Sequence, residues 1–379
     1  MDIGAGTEVD KEEPIPILTP FKLGPFQLSH RVVYASLSRS RSVNNVPDPH
    51  AILYYSQRAS PGGLILSEGT VVSPTGHGFP LCPGLYTKEQ VEAWKPIVKA
   101  VHDNGAYFFS QLWHVGRRSH HDYQPNKAAP ISGTSKRDDG ATLVLKDYTT
   151  AEVSTPRQLT TDEIPKVIEE YRIAARNAME AGFDAVELLC AYSYLPEDFM
   201  IKSVNDRTDQ YGPQSLESRA RFVLELADAV IAEVGSAQKV GVRLSPFWKN
   251  GTDSQAEREE FVLYLLEQLN RRSILYVNII EPKVEGEPDI EHSAELTTTP
   301  FRKAFKGAYI GATGFTKEKG NTAISEGRVD LVAFGRVFLA NPDLPKRFAL
   351  NAPLNKYNSS TFSIPDPVVG YTDYPLLED

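Results

Sequence analysis

The sequence predicts an α/β protein, a (β/α)8 TIM barrel. Three observations lead there. Eight short apolar runs are spread along the chain, and amphipathic stretches of helical period separate most of them. The runs are continuous rather than alternating, as strands buried on both faces must be. After the first run stands "ASLSRSRS", without a glycine, whereas a doubly wound nucleotide-binding sheet would want a glycine-rich fingerprint there.

Taken in order, the strands are "RVVYAS" (31–36), "GLILSEG" (63–69), "YFFSQLWH" (107–114), "AVELLCA" (185–191), "VGVRLSP" (240–246), "ILYVNII" (274–280), "AYIGA" (308–312) and "LVAFGR" (331–336). β-Branched and aromatic residues fill them. Among the helices, 88–105 sets Val91, Trp94, Ile97, Val98 and Val101 on one face and stops at Asn104-Gly105, a common helix stop. The stretch 161–182 opens with Thr161 as candidate N-cap and closes at Gly182, and 215–235 and 255–270 behave likewise. A barrel of this kind takes about 250 residues. The remainder of the 379 falls to insertions and tails, the largest insertion being 118–160, between the third strand and its helix. Residues 1–14 are read as a flexible acidic arm and 15–379 as a single domain.

Composition excludes several classes of function. A net charge of −9 argues against nucleic acid as a partner, because phosphate binding wants a basic stripe. Two cysteines, Cys82 and Cys190, make neither a disulfide framework nor a metal cluster and suit a reducing compartment. No apolar run approaches the roughly 20 residues of a membrane span. "MDIGAGTEVDKEEPIPI" is no secretory signal and "PLLED" no peroxisomal address, so the expected location is cytoplasmic.

In a barrel, chemistry gathers at the C-terminal ends of the strands. Those ends carry Ser36 and Ser38, then Glu68-Gly69-Thr70, Gln111 and His114, Tyr192 and Tyr194, and Arg243. "GATGFTKEKG" follows strand seven and "FGRVFLANPD" follows strand eight. Loops in those two places are the usual phosphate cradle of the fold. Gly314 and Gly335 allow close backbone approach, and Arg336 offers a fork to phosphate oxygens. The plainer reading, two turn glycines and a surface ion pair, stays open on these residues alone. Gln111 and Arg243 are polar groups closing apolar strands, suited to a polar ligand in the mouth or to a structural hydrogen bond. His114 reads equally as a ligand contact or as a neutral core histidine.

Longer segments carry a resemblance. "HRVVYASLSRSRS", "YYSQR", "FFSQLWHVGR", "VNDRTDQYG", "VGVRLSPF", "DLVAFGRVFLANPDLPKRF" and "DPVVGYTDYP" resemble the old yellow enzyme family, most nearly the plant 12-oxophytodienoate reductases. The resemblance runs from about residue 15 to the C-terminus. It implies an FMN-bound barrel in which NADPH reduces the flavin. The flavin hydride then goes to the β-carbon of an α,β-unsaturated carbonyl, and a tyrosine protonates the α-carbon. Carried over by position, the flavin contacts fall on Ser36, Ser38, Gly69, Gln111, Arg243, Thr313, Gly314, Gly335 and Arg336. Of these, Thr313, Gly314, Gly335 and Arg336 would hold the phosphate. The proton donor falls on Tyr194. The implied partner is a small-molecule enone of oxylipin or jasmonate type, and the implied assembly is a monomer or weak homodimer.

The substrate side departs from the family. Its strand-four motif, His-Gly-Ala-His-Gly-Tyr-Leu or the form with Asn as second clamp residue, here reads Leu189-Cys190-Ala191-Tyr192-Ser193-Tyr194-Leu195. Leu189 cannot donate a hydrogen bond, and Tyr192 has one hydroxyl where the family binds the carbonyl oxygen. Two further family tyrosines are Phe79 and Ser363, so the substrate-facing set is Tyr192, Leu189, Phe79 and Ser363. Losing one such donor costs about 100- to 1000-fold in rate. Three readings follow: an ene-reductase with altered substrate range, a flavoprotein of divergent chemistry such as isomerisation or oxidation, and a flavin-binding homologue without turnover.

Overall fold

The computed structural model describes residues 14–247, 251–282 and 296–378. All but the last residue of the 1–14 arm lies outside the described residues. Eight parallel strands close on themselves: β1 Val32–Tyr34, β2 Leu64–Leu66, β3 Tyr107–Trp113, β4 Ala185–Cys190, β5 Val240–Leu244, β6 Tyr276–Ile280, β7 Ala308–Ala312 and β8 Leu331–Phe334. Every strand pairs with its sequence neighbour. The ring closes where Val332 of β8 pairs with Val32 of β1. Each predicted run contains one of these strands. Most observed strands are shorter than their runs; β7 alone spans the whole of its run.

Helices α1 His50–Ser56, α2 Lys88–Asp103, α3 Ile164–Ala181, α4 Leu195–Met200, α5 Leu216–Val234, α6 Gln255–Arg271, α7 Thr299–Ala304 and α8 Lys317–Ser325 alternate with the strands, and the short α9 Arg336–Ala340 and α10 Leu344–Leu350 follow β8. The reason for each start is local. Thr87 and Gln90 form a reciprocal capping box on α2, and Ser254 and Glu257 do so on α6, satisfying amides that the helix leaves without partners. The face predicted for α2 is the buried one: Val91, Trp94, Ile97, Val98 and Val101 all pack inward. Ahead of α3 the cap is Thr160, not Thr161. The Thr160 amide donates to Glu163 three residues on, at 2.8 Å, and Thr161 already lies inside the first turn. Gly182 ends α3 in the left-handed region, at φ 98°.

Strand alternation divides the barrel interior into layers. The lower layer is apolar: Val33, Leu64, Phe109, Ala185, Ile310 and Leu331, with Tyr276. A hairpin, Phe21–Leu23 with Phe26–Leu28, plugs its N-terminal end, and the Phe26 ring meets those of Tyr107 and Phe109. Two residues further along β3, β4 and β6 the inward positions are polar, Gln111, Glu187 and Asn278, while Ala35, Leu66, Ala312 and Ala333 keep β1, β2, β7 and β8 apolar there. The 118–160 insertion folds as its own patch, with a hairpin of Thr142–Val144 and Thr150–Glu152 around Tyr123, Leu143 and Val153. No described helix is long and apolar enough to cross a membrane.

Gly241 of β5 lies under the Tyr276 ring, and a Cβ there would collide with it. Both belong to a close-packed interior, so Gly241→Ala is expected to cost about 1–3 kcal/mol by overpacking. A thermal midpoint equal to that of the parent would contradict this account of the lower layer.

Candidate active site

At the centre of the mouth is a carboxylate. Glu187 on β4 is fully buried. Gln111 on β3 donates to it from Nε2 at 2.6 Å, and Asn278 on β6 from Nδ2 at 2.9 Å. Since the carboxylate only accepts, the Gln111 amide must turn its nitrogen inward. Its Oε1 then accepts from the Ser36 hydroxyl at 2.8 Å. One buried acid thereby orients the polar ends of β1, β3 and β6. Neither Glu187 nor Asn278 was among the predicted site residues, although a glutamate inside "AVELLC" was visible in the sequence.

Around this floor stands an aromatic wall. Trp113, at the end of β3, stacks on Phe79 with centroids 5.6 Å apart and meets the Tyr194 ring edge-on at 5.2 Å. Tyr192 lies 6.1 Å from Tyr194, ring to ring. Its hydroxyl accepts from Arg243 Nη2 at 2.9 Å, and the guanidinium also lies 5.5 Å from the Tyr192 ring. The structure thus brings Phe79, Tyr192, Tyr194 and Arg243 into one group, with Trp113 as the member sequence reasoning left out. Leu189 pairs in register with Arg243 and is buried, so an apolar side chain stands beside the cation.

The turn that presents the two phenols is strained. Tyr192 and Ser193 both take left-handed backbone angles, φ 61° and 56°. Non-glycine residues avoid this region at a cost of about 1–2 kcal/mol each, so the surroundings must hold them. They are held by Glu197 in the first turn of α4. Its carboxylate accepts from the Ser193 amide and from the Ser245 hydroxyl, and Ser245 in turn accepts from the Tyr192 amide at 3.3 Å. The next residue, Asp198, pairs with Arg117 at 2.9 Å and accepts from Ser132 at 2.7 Å.

The remaining predicted residues line the rim. Gly69 lies flat against the Trp113 indole, where a Cβ would come within 2.8 Å, and Gly335 backs onto Leu37, where a Cβ would come within 3.2 Å. Ser38 sits against the buried Cys82 thiol. Thr313 and Gly314 follow β7 with successive positive angles, φ 71° and 72°, a concave arrangement of amides suited to an anion. Gly335 precedes the short α9, and Arg336 opens it, exposed. Because Ala312 and Ala333 pair in register, the two loops leave the barrel side by side. Ser363 is exposed on a C-terminal strap. The strap is tied down by Arg39 and Arg41, which both donate to the Phe362 carbonyl, at 3.3 and 3.2 Å.

His114 takes the structural reading. It is fully buried, with Thr75 Oγ1 3.2 Å from Nε2 and the Gly116 amide donating to Nδ1 at 3.0 Å. Burial holds its pKa down to about 3, so it stays neutral.

Known proteins resemble this chain along its length. The NADH:flavin oxidoreductase / NADH oxidase family matches residues 16–355. The chain is 53% identical over 369 residues to 12-oxophytodienoate reductase 2 of Arabidopsis thaliana, covering 97% of this chain and 98% of that protein. It is 52% identical over 381 residues to 12-oxophytodienoate reductase 1 of Oryza sativa subsp. japonica, covering 100% and 97%. Among solved structures it superposes on morphinone reductase with a TM-score of 0.89 at 43% identity, covering 95% of this chain and 96% of the other.

Three buried carboxyls surround the mouth, and burial pushes each up to about 7: Glu68, Glu197 and Asp198. Outside the mouth, Glu163 beside Arg157 and Glu257 beside Lys202 are held down to about 2. The first set binds protons more tightly in the folded chain, so its contribution to stability falls as pH rises from about 4 to 7. The second set loses its contribution as pH drops from about 4.5 to 2. Buried His30, His77 and His114, held down to about 4, 4 and 3, act in the opposite sense over part of this range, so the acids are read by difference: the thermal midpoint of Glu68→Gln relative to the parent should rise as pH goes from about 4 to 7. A difference that stays constant from about pH 4 to 7 would contradict the assignment of Glu68 as a buried acid.

Proposed function

The chain belongs to the NADH:flavin oxidoreductase / NADH oxidase family, and we propose that it is an FMN-dependent ene-reductase whose carbonyl clamp is rebuilt around Tyr192. The observation that carries this reading is the Arg243–Tyr192 hydrogen bond, 2.9 Å long, beside Tyr194 on the same aromatic wall. Its substrates are α,β-unsaturated carbonyls, including the oxylipin-type cyclopentenones suggested by the names of the 12-oxophytodienoate reductases it is similar to.

The donor set at the mouth suits FMN. A pyrimidine edge alternates donors and acceptors, which matches the amide of Gln111 and the guanidinium of Arg243, with Ser36 and Ser38 on the adjoining rim. Gly69 puts bare backbone against the Trp113 indole, where a Cβ would come within 2.8 Å, which keeps that part of the mouth free of a further side chain. The successive left-handed residues Thr313 and Gly314, with Gly335 and Arg336 in the neighbouring loop, suit a phosphate. When bound, FMN supplies a hydride to the β-carbon of the enone.

The protein's own residues do the rest. Arg243 donates to the oxygen of Tyr192, so the phenol keeps its proton for an outside acceptor, the substrate carbonyl oxygen. That single donor replaces a pair, while Leu189 adds only apolar surface. Tyr194 holds the proton destined for the α-carbon. Trp113 and Phe79 keep water from the reacting edge. NADPH is the proposed reductant by resemblance to the 12-oxophytodienoate reductases; a structure of morphinone reductase in complex with tetrahydroNAD makes NADH the nucleotide to test against it.

Purified protein should be yellow and should oxidise a reduced nicotinamide faster when a cyclic enone is added. Colourless protein that takes up no flavin would refute the cofactor assignment. Tyr192→Phe is expected to slow flavin reoxidation by enone about 10- to 1000-fold and to leave flavin reduction nearly unchanged. Equal losses in both half-reactions would remove Tyr192 from the carbonyl site. Tyr194→Phe should slow reoxidation about 100-fold or more if it is the acid, and an unchanged rate excludes that role.

A further inference from the structure

We propose that Glu197 is the positioning residue of this site: its carboxylate fixes the Tyr192–Ser193 turn and so sets where both phenols stand. The inference rests on the ene-reductase reading for its kinetic consequence, but not for its structural one.

The geometry is that of a two-point anchor. The Ser193 amide donates to one carboxylate oxygen of Glu197. The other oxygen accepts from the Ser245 hydroxyl, and that hydroxyl accepts from the Tyr192 amide. Both left-handed residues thus have their amides held by the same buried side chain, one directly and one through a serine. Ser245 lies two residues beyond Arg243 on the β5 side. Tyr192 is therefore gripped twice by that side: at its amide through Ser245, and at its phenol by Arg243. Glu197 also closes the loop from the helix end. Its amide donates back to the Tyr194 carbonyl at 2.9 Å, which starts α4 immediately beneath the second phenol.

Geometry makes the anchor specific. Ser193 N–H can only donate, and Ser245, which accepts from the Tyr192 amide, still has its own proton to give. The site therefore presents two donors to one side chain, and a carboxylate meets both with acceptors. Asp198 next to it is occupied elsewhere, on Arg117 and Ser132, and cannot stand in. Without the anchor, the two left-handed residues lose the contacts that hold their amides.

Glu197→Ala removes both anchoring oxygens at once. In the flavin-loaded holoenzyme, stopped-flow should show reoxidation by 2-cyclohexenone slowed about 10- to 100-fold, the loss expected when a buried hydrogen-bond partner is removed. Flavin reduction by the nicotinamide should stay within about two-fold, and amide hydrogen exchange in the peptide covering 190–196 should speed up by about ten-fold or more. Ser245→Ala removes only the Tyr192 limb and should give a smaller effect of the same kind; it decides the matter if Glu197→Ala does not fold. Wild-type exchange in both variants overturns the proposal, as does equal slowing of the two half-reactions. If the wild-type holoenzyme itself ignores enones, the ene-reductase reading fails, and the exchange measurement still decides whether Glu197 holds the turn.

Discussion

A carboxylate sealed inside the barrel is the constraint on which the rest of the mouth depends. An unpartnered ionised acid in such a place would be prohibitively costly, and Glu187 is tolerated because two amides converge on it. The convergence is possible only because strand alternation points β3, β4 and β6 inward at the same height. Once it exists, it removes a degeneracy. An amide side chain can normally present either end, but Gln111 must turn its nitrogen to the acid. The ends of β1 and β3 therefore reach the mouth with their donors and acceptors already assigned.

A second set of buried charges shapes the rim. Arg39, Arg41 and Arg58 are nearly sealed from water, and backbone carbonyls receive much of their hydrogen bonding. Arg39 donates to the carbonyls of Phe362 and Gly370, and Arg41 to those of Asp366 and Val369. Arg58 donates to Leu339 and Tyr371. Tyr371 lies stacked on Tyr54 at 4.0 Å, with Arg41 4.5 Å from its ring. Such donors suit the forked guanidinium and would be poorly met by lysine. The consequence is that the C-terminal strap carrying Ser363 is built into the barrel edge.

Between floor and rim stands the strand-four loop. In the proposed reading the donor to the substrate carbonyl is the tip of a long phenol, Tyr192, with apolar Leu189 beside it. A tip so far from its backbone is well placed only if the backbone is rigid, and here the backbone sits in a region that tyrosine and serine rarely adopt. The anchor at Glu197 and the Arg243 contact are two halves of one solution to that problem. Neither would be needed with a short side chain at position 192.

The sequence by itself determined the barrel. Strands buried on both faces must be continuous apolar runs, and helices between them must show one apolar face and a cap; both signals are local and were legible at every strand. The capping residue of α3 was misplaced by one, because Thr160 and Thr161 are equally good caps until Glu163 chooses between them. The rim glycines, Gln111, Arg243 and the two tyrosines could be found from their places at strand ends. Tertiary structure alone decided which polar groups meet. Glu187 and Asn278 are 91 positions apart, and Ser245 and Glu197 are 48 apart, so no local pattern links them. It also decided the left-handed turn at Tyr192, since nothing in the residue type foretells it. A lone acid inside an apolar run announces that a partner exists, but only the folded chain says which one.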